Sequence, residues 1–94
     1  MLIRMEAARV KALWDALRAD EDSEENPDGS FTVDLFDTEP PVSMELYPDK
    51  NGYEITALLT LKYSDELEGW YVADKRKDKA DMEAAAAALE GKFL

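Results

Sequence analysis

The chain contains no histidine and no cysteine, and these absences remove most protein chemistry before any motif is sought. Without histidine there is no imidazole base or imidazole metal ligand. Without cysteine there is no thiol nucleophile, thiolate zinc site or disulfide framework. The fold must then be held by burial, and a reducing compartment, the cytoplasm, is the expected location. The four glycines, at 29, 52, 69 and 91, stand singly, so no glycine-rich phosphate loop exists. Ser23, Ser30, Ser43 and Ser64 fall in expected turns or strands without a partner base. A carboxylate pair used as acid and base needs one pKa raised by burial, whereas the acids of this chain fall in loops and on exposed faces. The expectation is a protein that is not an enzyme and takes neither cofactor nor metal. No apolar run reaches membrane-spanning length. The opening Met-Leu-Ile-Arg-Met-Glu-Ala-Ala-Arg carries charges where a signal peptide would be continuously apolar, so no association with a membrane is expected.

The most localised absence is of positive charge. Residues 20 to 49 contain no Lys or Arg but hold eleven carboxylates: Asp20, Glu21, Asp22, Glu24, Glu25, Asp28, Asp34, Asp37, Glu39, Glu45 and Asp49. The chain has 22 acidic and 11 basic side chains in all, so the acids and bases outside this segment balance. The net charge of -11 is therefore generated by one third of the molecule. Such charge repels nucleic acid and anionic membranes and favours basic partners reached by electrostatic steering.

At 94 residues the chain suits one domain, 1–94, which buries roughly 65% of the surface exposed when unfolded. Ile3, Ala7, Val10, Leu13, Trp14 and Leu17 recur at helical spacing and predict an amphipathic helix over 3–19. Arg4, Lys11 and Arg18 fall on its far side. Residues 20 to 30 (DEDSEENPDGS) read as a solvated acidic loop, where like charges repel and Asn-Pro-Asp-Gly is turn chemistry. Glu24, Asn26, Asp28 and Gly29 fit positions 1, 3, 5 and 6 of a calcium loop, but Leu35 occupies the twelfth, where a bidentate acid is required.

Period-two alternation then predicts strands over 31–37, 42–48, 53–63 and 70–74. Placing like side chains on one face sets Leu46 opposite Ile55, Met44 opposite Ala57 and Val42 opposite Leu59, with a four-residue loop. The same alternation puts Tyr53, Ile55, Ala57, Leu59, Leu61, Tyr63, Trp70 and Val72 on the buried side. A basic knot, Lys75 to Lys79, opens a final helix over 79–91, in which Asp78 and Asp81 have capping-box spacing and Met82, Ala85, Ala86, Leu89 and Phe93 form the apolar stripe. The expected fold is α+β: a four-stranded antiparallel meander with N- and C-terminal helices packed on one face, in the order α-β-β-β-β-α.

The other sheet face is left open. By alternation it carries Thr32, Asp34, Phe36, Ser43, Glu45, Tyr47, Glu54, Thr56, Leu58, Thr60, Lys62, Tyr71 and Ala73. The expected partner-binding residues are the acids of the loop (Asp20, Glu21, Asp22, Glu24, Glu25, Asp28) together with Asp34, Phe36, Asp37, Glu39, Glu45 and Tyr47. Carboxylates would steer the encounter and aromatics would anchor it.

Residues 75 to 89 (KRKDKADMEAAAAAL) resemble the last helix of a double-stranded-RNA-binding domain, and the resemblance implies phosphate contacts from Lys75, Lys77 and Lys79. The histidine-containing hairpin of that family is absent, and the net charge opposes phosphate. In size, lack of cysteine and the carboxylate block at 20–49, the chain is similar to the small acidic phage inhibitors of the anti-CRISPR and antirestriction kind. That resemblance implies a protein that imitates nucleic acid on a basic surface. Alternate strand residues lie about 6.5 to 7 Å apart, comparable to phosphate spacing along one DNA strand. The expected partner is thus a basic, nucleic-acid-binding protein or complex, with no direct nucleic-acid binding and a monomer or weak dimer as the working unit. An immunity protein neutralising a basic toxin, or an acidic structural module, is the alternative.

Overall fold

The computed structural model describes residues 1–94 and combines two helices with a six-stranded antiparallel sheet. In chain order the elements are β1 (Leu2–Arg4), α1 (Ala7–Arg18), β2 (Ser23–Glu25), β3 (Phe31–Leu35), β4 (Val42–Pro48), β5 (Glu54–Ser64), β6 (Gly69–Val72) and α2 (Lys79–Phe93). The sheet runs β1-β5-β4-β3-β2. β6 also pairs with β5, so β1 and β6 share the β5 edge that β4 does not occupy. The α+β class and the terminal positions of the helices match the sequence pattern; the strand number is six, where the pattern predicts four.

The first added strand replaces the start of the expected 3–19 helix. Leu2–Arg4 pairs with β5, setting Ile3 opposite Ile55. Main-chain bonds from Met5 N–H to the Tyr53 carbonyl (2.9 Å) and from Ala57 N–H to the Met1 carbonyl (2.8 Å) extend the ladder. Ile3 reaches the core from either conformation, so hydrophobic spacing cannot separate the two. An unpaired edge along an eleven-residue strand decides for β.

The second added strand lies inside the expected acidic loop. Ser23–Glu25 pairs with β3, with Glu24 opposite Thr32. Asn26-Pro27-Asp28-Gly29 closes the hairpin: Gly29 N–H bonds the Asn26 carbonyl (3.0 Å), Gly29 has φ +87°, and Asn26 N–H bonds the Ser30 carbonyl (2.8 Å). This is a three-residue hairpin loop that needs a left-handed residue at its end, which glycine adopts without strain. Trp14 ties the hairpin to α1 by donating its indole N–H to the Gly29 carbonyl (3.2 Å) and meeting Phe31 edge-on at 5.5 Å.

β4 and β5 pair with Leu46 opposite Ala57 and Met44 opposite Leu59, two residues from the expected register and therefore on the same faces. The hairpin is closed at Asp49 and Glu54 (3.0 Å), and Tyr53 sits exposed in the turn instead of on the buried side. Between Ser43 and Met44 the register shifts, because Thr60 is an extra residue on β5. The Thr60 hydroxyl bonds the Ser43 carbonyl across the bulge (3.0 Å). Beyond it every side chain changes face. Val42 now lies opposite Lys62, and Lys62 is buried. Leu61, Tyr63, Trp70 and Val72 turn to the open face, whereas the pattern predicts them inside. Lys62 and Tyr71, expected on the open face, lie on the helix side.

Both helices cover one side of the sheet. Leu13, Trp14 and Leu17 from α1 and Ala85, Ala86 and Leu89 from α2 join Ile3, Phe31, Val33, Leu35, Val42, Met44, Leu46, Ile55 and Ala57 in one core. The alanines bring the α2 backbone close to the sheet while favouring helix. α2 continues through Gly91 to Phe93, beyond the expected stop. No helix is long and apolar enough to cross a membrane.

Candidate functional site: the open face of the sheet

The strand registers arrange the open face in rows. One row reads Glu24, Thr32, Glu45, Leu58 and a second Asp34, Ser43, Leu61, Val72. Asp34 N–H also bonds the Asp22 carbonyl (3.0 Å), so Asp22 begins the second row. Each row passes from carboxylates on β2 to β4 to aliphatic side chains on β5 and β6. Along these rows the face passes from an acidic half to an apolar half, and the ion pair of Arg4 with Glu54 (3.6 Å) lies at the β1 end of the latter.

The acidic half gathers part of the expected set. Glu24, Asp34, Glu45 and Tyr47 share it, and Asp37 and Glu39 stand exposed in the connector that follows β3. Tyr47 donates its hydroxyl to the Glu45 carboxylate. That hydrogen bond, followed by burial and by the charges of Glu45 and Asp28, raises the tyrosine pKa. The remaining candidates lie elsewhere or serve the fold. Asp20 accepts the Ser23 hydroxyl (2.7 Å). Glu25 points to the helix side and pairs with Arg18 at 3.2 Å. Asp28 accepts the Ser30 hydroxyl (2.5 Å) and the Ser30 N–H (3.0 Å), and these bonds lower its pKa. Glu21 is exposed in the turn after α1.

Phe36 stands where the two halves meet. It is 52% exposed and lies edge-on to Trp70 at 6.3 Å, while Trp70 lies edge-on to Tyr63 at 5.6 Å. Leu61, Tyr63, Trp70 and Val72 are the part of this surface that sequence alternation misses, because the bulge at Thr60 inverts them. A signal in the chain is the pair Asp78 and Asp81 at the start of the last helix, two acids that can share one cation.

That cation is Lys62. Its ammonium lies 2.9 Å from Asp78 Oδ1 and 2.5 Å from Asp81 Oδ2, and 5.9 Å over the Tyr71 ring. Asp78 Oδ2 accepts the Asp74 N–H (2.8 Å). The two acids therefore fasten β5 to α2 and make no capping box; Asp78 forms no side-chain cap bond. Hydrogen bonds donated to Asp81 and then to Asp78 raise the Lys62 pKa. A lysine held charged in this way is neither a base nor a nucleophile. The Asp78 pKa is lowered, first by Lys62 and then by the Asp74 N–H.

Glu24, Asn26 and Asp28 do not converge as the calcium template requires: Asn26 is spent on Ser30 and Thr32 (3.1 and 3.2 Å). No group of three or more acidic side chains is placed to hold a metal ion. A groove of about 330 Å³ between β5 and α2 is lined by apolar Leu59, Ala73 and Met82 and by charged Asp74, Lys75, Lys79 and Glu83. The open face itself presents carboxylates beside the aromatic side chains of Phe36, Tyr63 and Trp70. No family model, curated protein or solved structure matches the chain.

Proposed function

We propose that the protein is a non-enzymatic inhibitor or binding protein of the anti-CRISPR or antirestriction kind, which lays its acidic half-sheet on a basic protein surface made for nucleic acid. The observation that carries this reading is the division of the open face. Glu24, Asp34 and Glu45 stand on three adjacent strands within a segment that contains no basic side chain. Strands about 4.8 Å apart hold those carboxylates at fixed spacing, so their alignment costs little entropy on binding. Docking on an Arg- and Lys-lined groove would displace the counterions or nucleic acid held there, the same term that drives nucleic-acid binding.

The aromatic group Phe36, Tyr63 and Trp70 beside the acids supports a second reading, an immunity protein that neutralises a basic toxin, since such anchors are typical of protein interfaces. Both readings use the same face and differ in the target. The test is capture on the immobilised protein from lysate of its source organism, with a salt gradient and a parallel column bearing Asp34→Asn, Asp37→Asn, Glu39→Gln and Glu45→Gln together. The inhibitor reading expects a nucleic-acid-binding protein that is released by salt and by added DNA or RNA, and that the variant fails to retain. A lone basic toxin selects the immunity reading. Equal retention on both columns contradicts the two together.

A further inference from the structure

The two ends of the sheet are protected very differently. At one edge, β2 is three residues long and carries Glu24 and Glu25, charges that oppose pairing with another strand. At the other, β6 reads Gly-Trp-Tyr-Val with no charge at all. Tyr71 lies opposite Lys62 and Gly69 opposite Ser64, and Ala73 N–H bonds the Thr60 carbonyl (3.0 Å). Residues 69, 71 and 73 therefore direct their main-chain groups to β5, and those of Trp70 and Val72 point outward. Val72 is 78% exposed and Trp70 39%. Such an edge is a template for a further strand.

The charges at the ends of β6 specify which strand. The turn before it carries Asp65, Glu66 and Glu68; the turn after it carries Lys75, Arg76 and Lys77. All six are exposed, and none takes part in an ion pair within the chain. The basic turn is held in shape by Asp74, whose carboxylate accepts the Arg76 and Lys77 N–H groups (2.8 and 3.3 Å). A strand that is acidic at its start and basic at its end is complementary to itself when reversed.

We infer that β6 pairs antiparallel with β6 of a second copy of this chain, forming a two-fold dimer with one continuous twelve-stranded sheet. With Trp70 opposite Val72 of the second copy, the outward main-chain groups of both residues are paired in each direction. The acidic turn of each copy then meets the basic turn of the other. The two-fold axis is perpendicular to the sheet, so both open faces lie on the same side and the apolar halves become contiguous across the seam. The acidic halves move to the two ends. Counting seven strand spacings of about 4.8 Å, the two β3 strands lie roughly 34 Å apart, beyond the ~8 Å screening length at physiological ionic strength. The net charge of each copy therefore opposes this contact only weakly.

This inference stands apart from the proposed function and is tested without a partner. Sedimentation velocity or light scattering on the full chain, from about 10 µM to about 1 mM where weak interfaces populate, is expected to show the mass rising from 10.6 kDa toward twice that value. Val72→Pro removes an outward N–H that the ladder does not use; it is expected to keep the circular dichroism spectrum and raise the dimer dissociation constant at least tenfold. Two charge variants, Lys75→Glu, Arg76→Glu and Lys77→Glu in one chain and Asp65→Lys, Glu66→Lys and Glu68→Lys in the other, are each expected to be monomeric and to form a heterodimer when mixed. A single-chain mass at every concentration, which would leave the edge for a strand of another protein, overturns the inference. So does a dimer unchanged by Val72→Pro, or a mixture of charge variants that stays monomeric.

Discussion

Lys62 shows how one side chain can carry a large share of the tertiary specification. Its stem crosses the buried side of β5 and its ammonium meets Asp78 and Asp81, so β5, β6 and the start of α2 are fixed by one cation. Removing it leaves two acids side by side and a void beneath α2. Lys62→Ala is expected to lower stability by roughly 2 to 4 kcal/mol, between an ordinary substitution and the loss of one partner of a buried ion pair, as read by urea unfolding at neutral pH. The pH dependence has a definite sign. The Asp78 pKa is lowered in the folded state, so its contribution is complete above the ordinary carboxylate pKa of about 4 and is lost as pH falls through the lowered value. The Lys62 pKa is raised, so its contribution is complete below the ordinary lysine value of about 10.4 and is lost only as pH rises through the raised one. Unfolding measured between about pH 3 and 7 is expected to show a smaller acid-side loss for Asp78→Asn than for the unsubstituted chain, though Asp78→Asn starts from lower stability. Parallel curves would contradict this role for Asp78.

At the scale of elements, the bulge at Thr60 sets the composition of the open face. Before it, Ile55, Ala57 and Leu59 face the helices; after it, Lys62 does. Deleting Thr60 would make Leu59 and Leu61 consecutive opposite Met44 and Ser43, so a regular ladder would keep Lys62 beside Asp78 and Asp81 and leave Leu61 and Tyr63 on the open face. The deletion is therefore expected to be tolerated, costing no more than about 3 kcal/mol, the range of ordinary substitutions, and a larger loss in urea unfolding would show that Thr60 does more than absorb one residue of register. This is also where the sequence stops being legible. The helix centred on Leu13, Trp14 and Leu17, the 42–48 strand and the alanine-rich final helix follow directly from period and composition. So does the acidic side of the open face at Asp34 and Glu45. β1 escapes detection because Ile3 satisfies a helical stripe and a strand equally. β2 escapes because carboxylate repulsion reads as a loop, although Asn-Pro-Asp-Gly already contains the hairpin turn. The apolar half-face escapes because one inserted residue leaves no mark in a run where both alternating sets, Leu59 with Leu61 and Leu58 with Thr60, are compatible with a strand.

For the whole molecule, the proposed function divides the work of binding between charge and apolar area on one surface. In that proposal the carboxylates on β2 to β4 would act at a distance and set the rate and salt dependence of encounter, while the Phe36, Tyr63 and Trp70 group would act at contact. Trp70→Ala is accordingly expected to weaken binding to a captured target by about 2 kcal/mol, near thirtyfold, chiefly through faster dissociation, as followed by surface plasmon resonance. An unchanged dissociation rate would remove the apolar half from the interface. The carboxylate substitutions should instead slow association and flatten its dependence on salt. The central claim is that this acidic face takes the place of nucleic acid on a basic protein. Its most direct test is a competition titration on the captured target: labelled duplex DNA or RNA is displaced by the unsubstituted chain and by the Asp34, Asp37, Glu39 and Glu45 variant across a series of salt concentrations. Mutually exclusive binding, with a steep salt slope that becomes shallower in the variant, is the predicted result. A ternary complex of target, nucleic acid and this protein, or a variant that competes as well as the original, would contradict it.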